Sequence, residues 1–196
     1  LGSEGQIDLI EDFYRRFHTK ETLILVDPVM GDHGKPYRTY TPELCGRMRD
    51  LAAQADVITP NLTEAALLLG EAYENLPGDE QGIRRWLERL SMDGTRSVVL
   101  TGVSLEPGQI GAGFFDRAAG CTGFAMAHQE PEHFPGTGDL FASVVLGALL
   151  RGESLERAAQ RGADFVQRCV AYTLELGTPV LEGVQFEPLL RELMTE

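Results

Sequence analysis

The sequence predicts an α/β domain built on a mostly parallel sheet, and three observations carry that prediction. Short apolar runs that stop abruptly at polar or proline residues, Leu23–Val26 before Asp27-Pro28 and the run in DVITPN, read as strands buried on both faces. Segments with helical spacing of apolar residues alternate with them. The 196 residues, 43% of them apolar, suffice for one sizeable core.

The elements follow in order. Ser3 and Gln6 have the spacing of a capping box, and Ile7, Ile10, Tyr14 and Phe17 recur as one helical face, which predicts a first amphipathic helix. TLILVDPVM supplies the first strand. Thr41 as N-cap with Pro42 at the first helical position opens a helix that runs to about Ala55, and DVITPN follows as a second strand. A helix over Leu62–Leu69, another with Ile83, Trp86, Leu87 and Leu90 on one face, and the strand SVVLTG repeat the order. GAGFFD and CTGFAMAHQ, joined by a glycine-containing turn, read as an antiparallel pair at the end of the sheet. Two long helices, Leu140–Leu150 and Ser154–Leu176, close the chain. No internal repeat or linker divides it, so residues 1–196 are expected to form a single domain.

Composition narrows the partners. Thirty acidic against seventeen basic residues leave a formal charge of −13, which disfavours nucleic acid and anionic membrane and points to a small-molecule ligand. Cys45, Cys121 and Cys169 are odd in number, widely spaced and outside any CxxC pair, so neither a disulfide framework nor a zinc site is indicated and a cytoplasmic location is expected. No apolar run is long enough to span a bilayer, and the first residues lack the regions of a signal peptide.

Ligands of such sheets bind beyond the carboxyl ends of the strands, and unusual polar residues gather at those ends. They are Asp27 and Asp32 in DPVMGDHGK, Thr59, Asn61 and Glu64 in TPNLTE, and Thr101-Gly102 in LTG. A fourth contribution is Gly136-Thr137-Gly138-Asp139, a glycine turn running straight into an apolar helix. Each has a structural alternative: Asn61 and Glu64 suit a capping box, Asp27 can end a strand, Thr101-Gly102 can be a turn, and Asp139 gains from the helix dipole. Taken together they suit phosphoryl transfer. Carboxylates can hold Mg²⁺ along with substrate phosphates, backbone N–H groups at a helix start can hold the transferring oxygens, and a carboxylate at that anion hole can accept the proton of an attacking hydroxyl. No GxxxxGK[ST] loop, GxGxxG turn, protein-kinase HRD or DFG set, GxSxG elbow or histidine metal spacing competes with this reading.

DPVMGD, TPNLTE, VVLTG and GTGDLFAS, in this order and spacing, resemble the ribokinase superfamily, within it the pyridoxal kinase and hydroxymethylpyrimidine kinase branch. The resemblance runs over essentially the whole chain. It implies a central, mostly parallel sheet flanked by helices, ATP as co-substrate, Mg²⁺, and a homodimer, and it leaves open a monovalent cation such as K⁺. It implies Asp139 as the base, with Gly136, Thr137 and Gly138 as the anion hole. Asp32 and Glu64 would lie near Mg²⁺ and the ATP phosphates, and Asp27, Thr59, Asn61, Thr101 and Gly102 would line the nucleotide and cation site. Tyr37 would belong to a segment folding over ATP, and Phe134 would touch the adenine.

GTGD in place of GTGC, and DPVMGDHGK in place of a longer DPVMVAKSG type of segment, favour phosphorylation of the 5′-hydroxymethyl group of pyridoxal, pyridoxamine or pyridoxine. The alternatives are a hydroxymethylpyrimidine kinase and a non-catalytic vitamin-binding domain. The family's first strands, with much of the wall that holds the substrate ring, precede the point matching Leu1 and are not in this sequence. A fragment of a longer protein is expected, given the absence of an initiating Met, or else a natural truncation, which would leave an open sheet edge and no kinase activity.

Overall fold

The computed structural model describes residues 1–194, and their contacts divide into two compact units. The first comprises residues 1–101 and 115–122, the second residues 102–114 and 123 onwards. The main sheet has five strands in the order β1-β4-β5-β6-β7. These are β1 (Leu25–Val26), β4 (Val57–Ile58), β5 (Ser97–Val103), β6 (Gln109–Asp116) and β7 (Cys121–His128). β1 pairs with β4 and β4 with β5, both in parallel, in the register Leu25 with Val57 and Val57 with Ser97. Four residues connect β6 to β7, too few for the crossover that a parallel pair requires, so this pair is antiparallel. The mostly parallel sheet flanked by helices is the architecture expected.

In the first unit, α1 (Glu4–Phe17), α2 (Pro42–Ala52), α3 (Leu62–Leu69) and α4 (Glu80–Leu90) accompany the strands. Thr41 caps α2 as expected, its hydroxyl accepting from the Leu44 N–H at 3.2 Å, and the helix ends at Ala52. The expected face of α4 is buried: Ile83, Trp86, Leu87 and Leu90. A small antiparallel hairpin, β2 (Gly31–Asp32) with β3 (Lys35–Pro36), was not anticipated. Its Gly31 is obligatory, because a Cβ there would stand 2.3 Å from the Lys35 carbonyl oxygen.

Two expectations for α1 are corrected. Ser3 occupies the N-cap but its side chain makes no capping bond; Gln6 instead turns its amide oxygen to the Gly2 N–H at 2.6 Å. Ile7 is buried and Ile10 and Tyr14 half-buried, whereas Phe17 is exposed. At 100° per residue Phe17 stands about 80° around the helix from Ile7, at the border of the buried face, and as the last residue of α1 it is left open to solvent.

The second unit is built on α5 (Thr137–Leu150) and α6 (Leu155–Glu175), which pack closely on each other. α5 begins at Thr137, three residues earlier than its apolar run suggests, because the glycine turn is itself part of the first helical turn. Gly162 of α6 lets Phe141 approach: a Cβ there would meet the ring at 2.9 Å.

Candidate active site

The strand-end residues of the first unit form one hydrogen-bonded network. Directly after β1, Asp27 accepts from the Thr59 hydroxyl at 2.9 Å. Asn61 caps α3: its side-chain oxygen accepts from the Glu64 N–H at 2.9 Å while Glu64 Oε2 accepts from the Asn61 N–H at 2.8 Å. The capping box is therefore present. It also does more than cap. Glu64 Oε1 accepts from the Met30 N–H at 3.0 Å, the Asn61 amide nitrogen donates to the Gly31 carbonyl at 2.9 Å, and the Gly34 N–H donates to the Thr63 hydroxyl at 2.9 Å. Three bonds thus fasten the β2–β3 hairpin to the start of α3. Thr101 joins the same set through a parallel bridge with Asn61 and its N–H bond to the Pro60 carbonyl at 2.8 Å.

Electrostatics single out Glu64. Only 3% of its surface is exposed, and burial, with the Asp27 charge nearby, pushes its carboxyl up to about 7 against the opposing pull of its backbone hydrogen bonds. Asp32 on β2 is open to solvent; Oδ1 accepts from the His33 N–H at 2.8 Å, and Oδ2 lies 3.5 Å from the His33 ring. Tyr37 is exposed, and its N–H bonds to the Met30 carbonyl at 2.9 Å, which ties its segment to the residue that Glu64 holds.

Among the described residues no group of three or more His, Cys, Asp or Glu forms a ready metal cage. Mg²⁺ keeps several waters and takes one or two carboxylates beside substrate phosphates. A cation would also relieve the crowding of the Glu64 and Asp27 charges. The residues present therefore fit the ion.

In the second unit, Gly136 has φ +90°, a left-handed conformation that favours glycine, and it serves as N-cap of α5. The backbone N–H groups of the first turn have no intrahelical acceptors and form a ready anion site. No side chain caps this helix. Asp139 is exposed, and among the described residues its carboxylate has no hydrogen-bond or salt-bridge partner. Asp139 is thus a free carboxylate, among the described residues, in the first turn of α5, rather than a cap. A cavity of about 520 Å³ opens beside it, bordered by Asp139 and Ser143 of α5, by Gly136 and Arg151 that cap its two ends, and by Glu182 and Phe186 of the C-terminal segment.

Phe134 departs from expectation. It is fully buried, packed with Leu140, Val144, Phe165 and Val184, so its ring belongs to the core and presents no face to a ligand. Gly102 lies within β5 in a left-handed conformation (φ +77°), with open space where a Cβ would be. Three residues of these networks were not anticipated from the sequence. Thr63 holds the hairpin, Ser143 lies one turn after Asp139 on the cavity wall, and buried Tyr40 has a hydroxyl without a hydrogen-bond partner among the described residues. The i, i+4 spacing from Asp139 was the available signal for Ser143; no sequence pattern marks the other two.

The chain matches the phosphomethylpyrimidine kinase family over residues 1–182. It belongs to that family. It is 32% identical over 183 residues to a pyridoxine/pyridoxal/pyridoxamine kinase of Bordetella avium, covering 88% of this chain and 58% of the relative. It is 26% identical over 190 residues to a hydroxymethylpyrimidine/phosphomethylpyrimidine kinase of Haemophilus influenzae, covering 90% of this chain and 65% of the relative. The fold is also that of the pyridoxal kinase from Lactobacillus plantarum, with a TM-score of 0.87 and 34% identity over 98% of this chain and 68% of that one. The chain thus spans less than two thirds of the length of both curated relatives, and names of both substrate types occur among them. No helix among the described residues is long and apolar enough to cross a membrane.

Proposed function

We propose that this chain is the greater part of an ATP- and Mg²⁺-dependent kinase that phosphorylates the 5′-hydroxymethyl group of pyridoxal, pyridoxamine or pyridoxine. The observation that carries the reading is Asp139: an unpartnered, exposed carboxylate in the first turn of a helix whose N-cap is a left-handed glycine. Such a helix start binds an anion, and a free carboxylate beside a bound anion is placed to serve the nucleophile that attacks it.

In this reading the substrate hydroxyl gives its proton to Asp139 as its oxygen attacks the γ-phosphorus. The bond to the β-phosphate oxygen breaks and ADP leaves. The N–H groups of Gly136, Thr137 and Gly138 take up charge on the transferring oxygens, a task in which each lost donor costs about a hundredfold or more. Catalysis rests on positioning and charge stabilisation. The network of Asp27, Thr59, Asn61, Glu64 and Thr101 supports the nucleotide side, and the hairpin carrying Asp32, with Tyr37 following it, is held ready by Glu64, Asn61 and Thr63. Asp32 and Glu64 are the residues that would stand by Mg²⁺, which when bound draws charge from the phosphates. The protein would act as a homodimer in the cytoplasm.

A second reading, a hydroxymethylpyrimidine kinase, is favoured by the family match and the Haemophilus relative. Both acceptors present a hydroxymethyl group on a heteroaromatic ring. The test is ATP-dependent phosphorylation of pyridoxal by the full-length protein, wild type beside Asp139→Asn, with hydroxymethylpyrimidine as competing acceptor. A fall of at least about a hundredfold in the variant, with ATP binding retained, supports the base assignment. Equal rates refute it, and turnover far higher with the pyrimidine selects the second reading.

A further inference from the structure

We propose that Lys35, on the β2–β3 hairpin, binds the terminal phosphates of the nucleotide, an inference that rests on the nucleotide site of the kinase reading. Its place is fixed by the turn. His33 and Gly34 have φ +48° and +78°, two consecutive left-handed residues, as a two-residue turn matched to the twist of its strands requires. That turn sets Asp32 directly opposite Lys35. Residues opposite one another in an antiparallel pair share a face of the ribbon, so Lys35 stands on the face that carries Asp32, one of the two carboxylates placed beside Mg²⁺ in that reading. Pro36, next in sequence, keeps the Lys35 backbone extended. The two side chains are opposite in charge but form no ion pair: Asp32 turns to the His33 ring at 3.5 Å. Among the described residues the exposed Lys35 ammonium has no carboxylate partner.

The surrounding charge indicates what a free ammonium does here. The nucleotide side of the site is lined by the carboxylates Asp27, Asp32 and Glu64, in a chain with a formal charge of −13. ATP with its Mg²⁺ is still an anion, so the site must supply positive charge locally. Most arginines of the first unit are engaged elsewhere: Arg47, Arg84, Arg89 and Arg117 in ion pairs, Arg49 and Arg96 on backbone carbonyls. Lys20 and Lys35 are the only lysines in the sequence. Lys20 stands between α1 and the amino end of β1, whereas ligands of such sheets bind beyond the carboxyl ends. Lys35 also sits on a firm mount. The bonds from Met30, Gly31 and Gly34 to Glu64, Asn61 and Thr63 hold the hairpin to the start of α3, which leaves little ordering for the ligand to impose. An ammonium is a compact charge with three donors, well suited to phosphate oxygens.

The experiment is calorimetric titration of the full-length protein with MgATP and, separately, with adenosine, on the wild type, Lys35→Met, Lys35→Arg and Lys20→Met. Phosphorylation of pyridoxal and of hydroxymethylpyrimidine is followed on the same samples. Lys35→Met keeps an apolar stem and removes the charge at an exposed position, so its melting temperature should be unchanged. Its Kd for MgATP should rise about tenfold at low ionic strength, with the gap narrowing as salt is added. Its affinity for adenosine, which has no phosphate, and its KM for the acceptor should match the wild type. Lys35→Arg should restore most of the MgATP affinity, and Lys20→Met should bind as the wild type does. Equal MgATP affinity in wild type and Lys35→Met, or an equal loss for adenosine, overturns the inference and leaves the kinase reading standing. MgATP weakened in Lys35→Met, with neither acceptor phosphorylated by the wild type, keeps the phosphate contact and overturns the kinase reading. A wild type that binds no MgATP overturns both.

Discussion

Replacing Glu64 with glutamine should remove a specific part of the pH dependence of folding. In the folded chain the carboxyl is raised from its ordinary 4.5 to about 7, chiefly by burial. Between those two pH values the native state keeps a proton that the unfolded chain has already released. Its stabilising contribution is therefore complete below pH 4.5 and is lost as pH rises through about 7. At about 1.4 kcal/mol per pKa unit, the displacement from 4.5 to about 7 amounts to about 3 kcal/mol. Glutamine cannot ionise, but its single amide oxygen can accept from only one of the two backbone N–H groups, of Met30 and Asn61, that Glu64 now satisfies. An unmet buried donor costs about 1–3 kcal/mol at any pH. Wild type should thus be the more stable at pH 4.5, by about that amount, and its advantage should shrink or reverse by pH 8. Urea unfolding at fixed pH steps over this range measures the difference, in which unaltered carboxylates cancel. A difference that stays flat from pH 4.5 to 8 would show that Glu64 ionises normally, and the burial argument would fail.

Other outcomes follow from individual contacts. Arg96 is buried, without a carboxylate partner among the described residues, and bonds to the carbonyls of Leu90 and Ala52, at the C-terminal ends of α4 and α2, while burial pulls its pKa down to about 10. Arg96→Met, which leaves both helix ends uncapped, should cost about 3 kcal/mol in urea unfolding, and a loss below about 0.5 kcal/mol would show that the guanidinium contributes no capping. Gly31→Ala should force the β2–β3 hairpin apart, because its Cβ would collide with the Lys35 carbonyl. Faster hydrogen exchange at the Gly34 and Tyr37 amides would register this, and unchanged protection would contradict it.

Much of the architecture was legible in the chain because it depends on local periodicity. The apolar runs ending at Asp27 and Thr59, the Thr41-Pro42 start and the spacing of Ile83, Trp86, Leu87 and Leu90 each dictate an element whatever surrounds it. The glycine turn from Gly136 to Asp139 was legible for the same reason: a left-handed N-cap and a helix start are local events. Tertiary structure decided the rest. Whether Phe134 meets a ligand or the core depends on α6 and the C-terminal segment, which enclose it from far along the chain. Whether Phe17 is buried depends on which side of α1 meets α2, and two competing apolar faces leave that undetermined in sequence. Arg96, in an ordinary-looking TRS triplet, acquires its role only when two helix ends arrive beside it. Glu64 was recognisable as half of a capping box, because that bond spans three residues. Its grip on Met30, 34 residues away, and the raised pKa that comes with burial exist only once the hairpin has folded over it, since desolvation is a property of surroundings and no residue carries it alone.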